Sequence, residues 1–369
     1  MKRVSGIFAP SALVLAAALA CGAAHATENF DLRYAPGIGG ADMSAPVEPG
    51  MYLQVPYWHY YSEYKTTVAG APVAALQGTG LASTQLGYDE KIQVKIDALL
   101  PRFTYMTTTQ LWGATVGYTA LLPLIQKKSD VTVSNISVTQ TGFTSSTPIG
   151  PPYGTYGVVQ GVVASGVQST AQQGTGSSGF NVGDLEVGVM LRWQKDDDQY
   201  LLVPNFIFPT GQYSKTDALN GVPSASAGKF YSFRPTFQYS HIGDGWDFGV
   251  RASLTFNTRN TDTKYKSGNY ANVDWAIMKG LPHQIRVGLE GYAISQWTAD
   301  SLGDNRTPTA AQETTLGLKG SAYGAGPGIS WIKGAGELLV EGRVMKEFGG
   351  SGRPDSGYNL WINIAKPFM

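Results

Sequence analysis

Few residues in this chain could do chemistry. Beyond residue 26 there are three histidines, His59, His241 and His283, and their spacing matches no metal-binding pair. Ser240 or Ser253 with His241 and Asp247 would make a Ser-His-acid set. In a chain so rich in serine and threonine such a set arises cheaply, so an outer-membrane lipase or esterase is a minor reading. Lys195-Asp196-Asp197-Asp198 resembles half a calcium loop but lacks the spaced ligands and the terminal Glu. Gly324-Ala325-Gly326-Pro327-Gly328 is followed by no helix and so is not a phosphate loop. The reading is no catalytic residue, no metal site and no cofactor.

What remains is charge that recurs on one face of extended segments. Trp246, Phe248, Val250, Ala252, Leu254 and Phe256 alternate with Asp247, Gly249, Arg251, Ser253, Thr255 and Asn257. This is the strand period, with one apolar and one polar face. Phe230 to Ser240 and Tyr358 to Phe368 repeat it. Less pure alternation covers about 51–61, 91–105, 110–124, 183–193, 199–208, 270–279, 284–296, 322–332 and 337–348, which makes about 12 strands. Each is about 9–15 residues long, enough for a tilted strand to cross a bilayer, whereas soluble strands average about 5–6.

Composition agrees. Charged residues are only 15% against about 25% in soluble domains, glycine numbers 46, and aromatics reach 11%. The formal net charge is zero, which excludes nucleic acid as a main partner. Met1-Lys2-Arg3, an apolar run to Ala20 and Ala24-His25-Ala26 form the anatomy of a secretory signal peptide over 1–26. Cleavage there also removes Cys21, the only cysteine. Residues 27–49, rich in Gly, Pro and Ala, read as an N-terminal periplasmic segment or plug, and 50–369 as the barrel.

The connections alternate between short and long. Short ones fall at 107–109, 194–198, 242–245, 280–283 and 333–336; long ones at 62–90, 125–182, 209–229, 258–269, 297–321 and 349–357. Outer-membrane barrels have short periplasmic turns and long extracellular loops. The fold class is therefore all-β: a closed transmembrane antiparallel β-barrel in the outer membrane of a Gram-negative bacterium, with both termini periplasmic. Val131–Thr139 reads as the third strand continuing beyond the membrane, and 141–179 as a flexible loop without charge. The inward face should carry Arg102, Glu186, Arg192, Arg234, Asp247, Arg251, Asp274, Arg286, Glu290, Glu341 and Arg343 as channel lining, joined by Lys95 and Asp97. Glycines 324, 326 and 328 should leave space in the lumen.

Several short stretches, in order, resemble an outer-membrane family named for a meta-pathway of phenol degradation. They are Pro49-Gly50-Met51-Tyr52, Pro101-Arg102, Gly183-Asp184-Leu185, Phe208 to Tyr213, Tyr265-Lys266-Ser267-Gly268, Lys346-Glu347-Phe348 and Lys366-Pro367-Phe368. The resemblance implies a transporter-like barrel that takes up small hydrophobic or aromatic solutes. Its partners would be those solutes, outer-membrane lipid and the outer-membrane assembly machinery. The alternative is a non-transporting structural or surface-interaction barrel.

Overall fold

In the computed structural model, residues 33–44, 48–73, 76, 79–151, 153–216, 228–301, 319–334, 337–351 and 356–368 are described. The signal peptide expected over 1–26 lies outside them, as does Met369.

Period-two alternation produces 12 antiparallel strands that close on themselves. Four are broken into two sections. Strand β1 comprises Gly50–Gln54 and Tyr57–Pro72, β2 Gln85–Leu99 and Arg102–Leu111, β3 Ala114–Leu121 and Leu124–Thr139, and β4 Gly176–Val182 and Leu185–Lys195. The other eight are unbroken: β5 Asp198–Phe208, β6 Ser232–Gly243, β7 Trp246–Asn257, β8 Tyr270–Leu281, β9 Ile285–Gln296, β10 Ser321–Lys333, β11 Leu338–Ser351 and β12 Ser356–Phe368. Pairing of β1 with β12 closes the ring, from Met51 opposite Phe368 to Glu63 opposite Ser356. Closure leaves no lipid-facing ladder unpaired, the condition for a sheet to stand in hydrocarbon.

The breaks share a cause. Pro56, Pro101 and Pro123 have no N–H to give the ladder, and Gly183 sits against the Pro123 ring. Each break donates to the carbonyl of the one before: Leu100 N to Pro56 O at 2.9 Å, Leu122 N to Pro101 O at 3.2 Å, Gly183 N to Pro123 O at 2.7 Å. Four adjacent strands thus bend along one line.

That line divides two exteriors. Below it the outward residues are apolar, with Phe103, Tyr105, Tyr118 and Val189 all more than 40% exposed. Above it the outward positions of β1 to β3 include Glu63, Lys65, Lys91, Lys95, Lys128 and Asp130. Such a face cannot lie in hydrocarbon, so these sections stand outside the membrane. Helix α1 (Tyr156–Gln173) packs on their inner face, burying Val159, Val163 and Val167 with Leu86, Tyr88 and Val138.

Several sequence expectations need correction. The stretch 141–179 is no featureless loop, since it contains α1; valines 159, 163 and 167 have helical spacing that the Gly/Ser/Thr content obscured. The third strand does continue to Thr139, but 62–90 is also mostly strand, because strands freed from the bilayer need not stop at its thickness. The turn placed at 107–109 is at Trp112-Gly113, whose φ values of 52° and 77° suit a two-residue hairpin turn. The threonines at 107–109 belong to β2.

An epitope inserted after Gly211 should be accessible on intact cells, and one inserted after Asp196 should not. Reversed accessibility would overturn the orientation.

Candidate functional site: the barrel interior

Residues 33–44 run inside the barrel, and inward strand residues grip them. Arg343 on β11 donates from Nη2 to the carbonyls of Gly37 (2.6 Å) and Ile38 (3.1 Å). Its charge is met by Glu290 on β9 (3.2 Å) and Glu341 (2.8 Å), all three almost wholly buried. Asp274 on β8 accepts from the Tyr34 hydroxyl and from Gly39 N at 2.9 Å. Arg251 on β7 is hydrogen-bonded to Gln238 and lies 3.5 Å from Asp42. Arg234 on β6 reaches the Arg33 carbonyl, Glu186 (2.8 Å), Thr255 (3.0 Å) and Tyr270 (3.2 Å). Buried charges are tolerable only when paired in this way, and here the pairing also seats the chain.

Toward the extracellular side the interior becomes apolar. Trp58, Tyr60, Ile92, Val94, Ile96, Tyr292, Ile294 and Trp361 form one cluster, into which Tyr34, Ala35 and Ile38 pack. Trp58 stacks on Trp361 with centroids 5.6 Å apart, and its Nε1 donates to Asn359 at 2.7 Å. Two layers therefore fill the lumen, one charged and one aromatic-aliphatic.

The remaining lining candidates fall into place around these. Asp247 pairs with Arg286 at 2.5 Å, not with Arg251 on its own strand, because β7 and β9 bring these two together near the short turns. Arg192 is buried and donates to Gln194 at 2.8 Å. Arg102 opens the lower section of β2, in register with Gln54 and Leu121. Lys95 and Asp97 face outward: inward positions on β2 are even-numbered, including Ile96, Ala98 and Arg102. The glycines of β10 do not leave open space. A side chain at Gly324 would collide with Tyr292 and one at Gly328 with Glu290, so they seat those residues.

The family described as "Putative MetA-pathway of phenol degradation" matches residues 70–364. The chain belongs to it. No match was found among curated proteins. Among solved structures, an outer membrane channel from Pseudomonas putida F1 is 12% identical, with 91% of this chain and 100% of that chain covered and a TM-score of 0.54, which shows a shared barrel fold. A Pseudomonas aeruginosa FadL homologue is 10% identical over 95% and 98% of the two chains, with a TM-score of 0.39 too low to carry an argument.

As a member of this phenol-degradation family, the chain places several motif residues at structural junctions that alternation alone missed. Asp184 binds Arg33 at 2.6 Å beside the break in β4. There the upper section of β4 has no strand on its far side among the described residues, since β5 ends at Phe208. Residues 210–212 cover that edge, with Gln212 N donating to Val182 O at 2.9 Å and Gly211 N to Asp184 at 3.0 Å. Glu347 sits in the apolar layer and accepts from Tyr60 (3.1 Å), Ser62 (2.9 Å) and Tyr292 (2.7 Å). The signal that could have found Glu347 is its even spacing from Glu341 and Arg343 along one face.

Proposed function

We propose that this protein conducts small apolar or aromatic compounds passively across the outer membrane, through a lumen that residues 33–44 plug. One observation carries the reading: the apolar inner layer. Lumens of water-filled barrels are polar, because they face water. A layer of Trp58, Tyr60, Ile96, Tyr292 and Trp361 gives a hydrophilic solute nothing and gives an aromatic ring stacking and buried area. Tyr34, Ala35 and Ile38 occupy the surface such a solute would use, so solute and plug compete for it. Family membership supports the same reading. The row of Lys366, Pro367 and Phe368 at the end of β12 supports recognition by assembly machinery.

The test is initial uptake of a labelled aromatic hydrocarbon at limiting concentration by cells with and without the protein. A severalfold faster uptake with the protein is expected. Equal rates would favour a non-transporting barrel, the reading that the dense packing of the interior supports.

The plug has its own test. A side chain at Gly40 would collide with Arg343, Glu290 and Glu341. Gly40→Val should therefore lift residues 37–42 from their seat and raise single-channel conductance severalfold in planar bilayers. Unchanged conductance would mean that the segment does not obstruct the path.

A further inference from the structure

The outer wall carries an unusual row of register partners. Tyr358 on β12 lies opposite Tyr61 on β1, Tyr61 opposite Lys95 on β2, and Lys95 opposite Lys128 on β3. The first two rings touch, with centroids 5.7 Å apart, and the Lys95 ammonium stands 5.8 Å from the Tyr61 ring. Tyr358 tops the outward apolar file of β12, above Leu360, Ile362 and Ile364. It marks the level where an interfacial aromatic girdle belongs. The two lysines follow in the same register row, on the polar sections just above the breaks, within reach of lipid headgroups.

Like charges directly opposed across a strand pair repel each other. Nearby acids relieve them only in part, Asp97 acting on Lys128 through its single charge. Asp97 is taken by Tyr57 (2.8 Å) and His59 (2.8 Å), and Glu63 by Lys65 (2.7 Å) and Lys91 (3.0 Å). Asp130, next outward on β3, makes no ion pair with either lysine among the described residues. Both lysines are exposed. We infer that Lys95 and Lys128 hold a phosphate group of the phosphorylated glycolipid that forms the outer leaflet, with Tyr61 and Tyr358 as the shelf beneath its sugar. Phosphate suits the pair because its charge exceeds one unit and its three oxygens can accept from two ammonium groups at once. The inference is independent of what crosses the lumen.

The test uses the full protein in lipid nanodiscs. It is titrated with a bis-phosphorylated glucosamine-disaccharide lipid and with the same lipid after dephosphorylation. The wild type should bind the phosphorylated form at least tenfold more tightly. Lys95→Gln with Lys128→Gln should weaken that binding about thirtyfold, the product of two headgroup-level lysines. Lys95→Arg with Lys128→Arg should retain it, and Lys65→Gln should leave it unchanged. Heat-modifiable gel migration confirms that each variant is a folded barrel. Equal binding of the two lipids, or wild-type binding by the glutamine pair, would overturn the site. Displacement of the lipid by millimolar inorganic phosphate would overturn the glycolipid assignment and leave a simple anion site.

Discussion

Arg343→Ala is expected to weaken both the barrel and the hold on the chain inside it. The guanidinium touches Glu290, Glu341 and the carbonyls of Gly37 and Ile38, and the two carboxylates are almost inaccessible to water. Removing the cation leaves two buried acids facing each other without a counter-charge, which costs about 3–5 kcal/mol for a buried pair. Urea unfolding in vesicles, followed by tryptophan fluorescence, should show that loss. Conductance should rise at the same time, because residues 37–38 lose their donor. The triple variant Glu290→Gln, Glu341→Gln, Arg343→Met separates the two effects. It leaves no unpaired charge and should recover most of the stability, yet it cannot reseat the segment, so its conductance should stay high. A single variant as stable as wild type would refute the role of the charge cluster.

The second large effect concerns height along the wall. Leu254 on β7 faces outward and is 46% exposed, in the apolar belt. Leu254→Arg puts a charge into lipid and should cost about 2–4 kcal/mol near the midplane. Thr132 on β3 also faces outward, but above the line of breaks, among Lys128, Asp130 and Ser134. Thr132→Arg should change stability by less than about 0.5 kcal/mol, as for an ordinary surface site. Both are measured by the same unfolding titration. Equal losses would mean that β3 above Pro123 is in the membrane, and the division of the wall would fail.

Legibility differed from one part of the chain to another. Strand β7 was plain from its residues, since each outward side chain had to be apolar and each inward one did not. The upper section of β2 was ambiguous. Ile92, Val94, Ile96 and Ala98 alternate with Lys91, Gln93, Lys95 and Asp97, and alternation alone does not say which face is inside. Outside the bilayer the polar face points out, the reverse of β7, and that reversal put Lys95 and Asp97 on the wrong side. Helix α1 was missed because Gly, Ser and Thr dilute its valine spacing, and because its stability comes from the sheet it covers.

The sequence by itself determined a closed barrel with about 12 strands, the alternation of short and long connections and the polar inner face below the breaks. Lipid imposes those features locally: every outward residue meets the same hydrocarbon, so period and length register in the chain one segment at a time. Tertiary structure alone decided which charges meet and what they hold. Arg343 finds the carbonyl of Gly37 across 306 residues, and Tyr34 finds Asp274 across 240. Such pairings depend on how the registers of twelve strands add up around a ring. No local pattern of side chains carries that sum, so the side chains that seat residues 33–44 became visible only when the barrel closed around them.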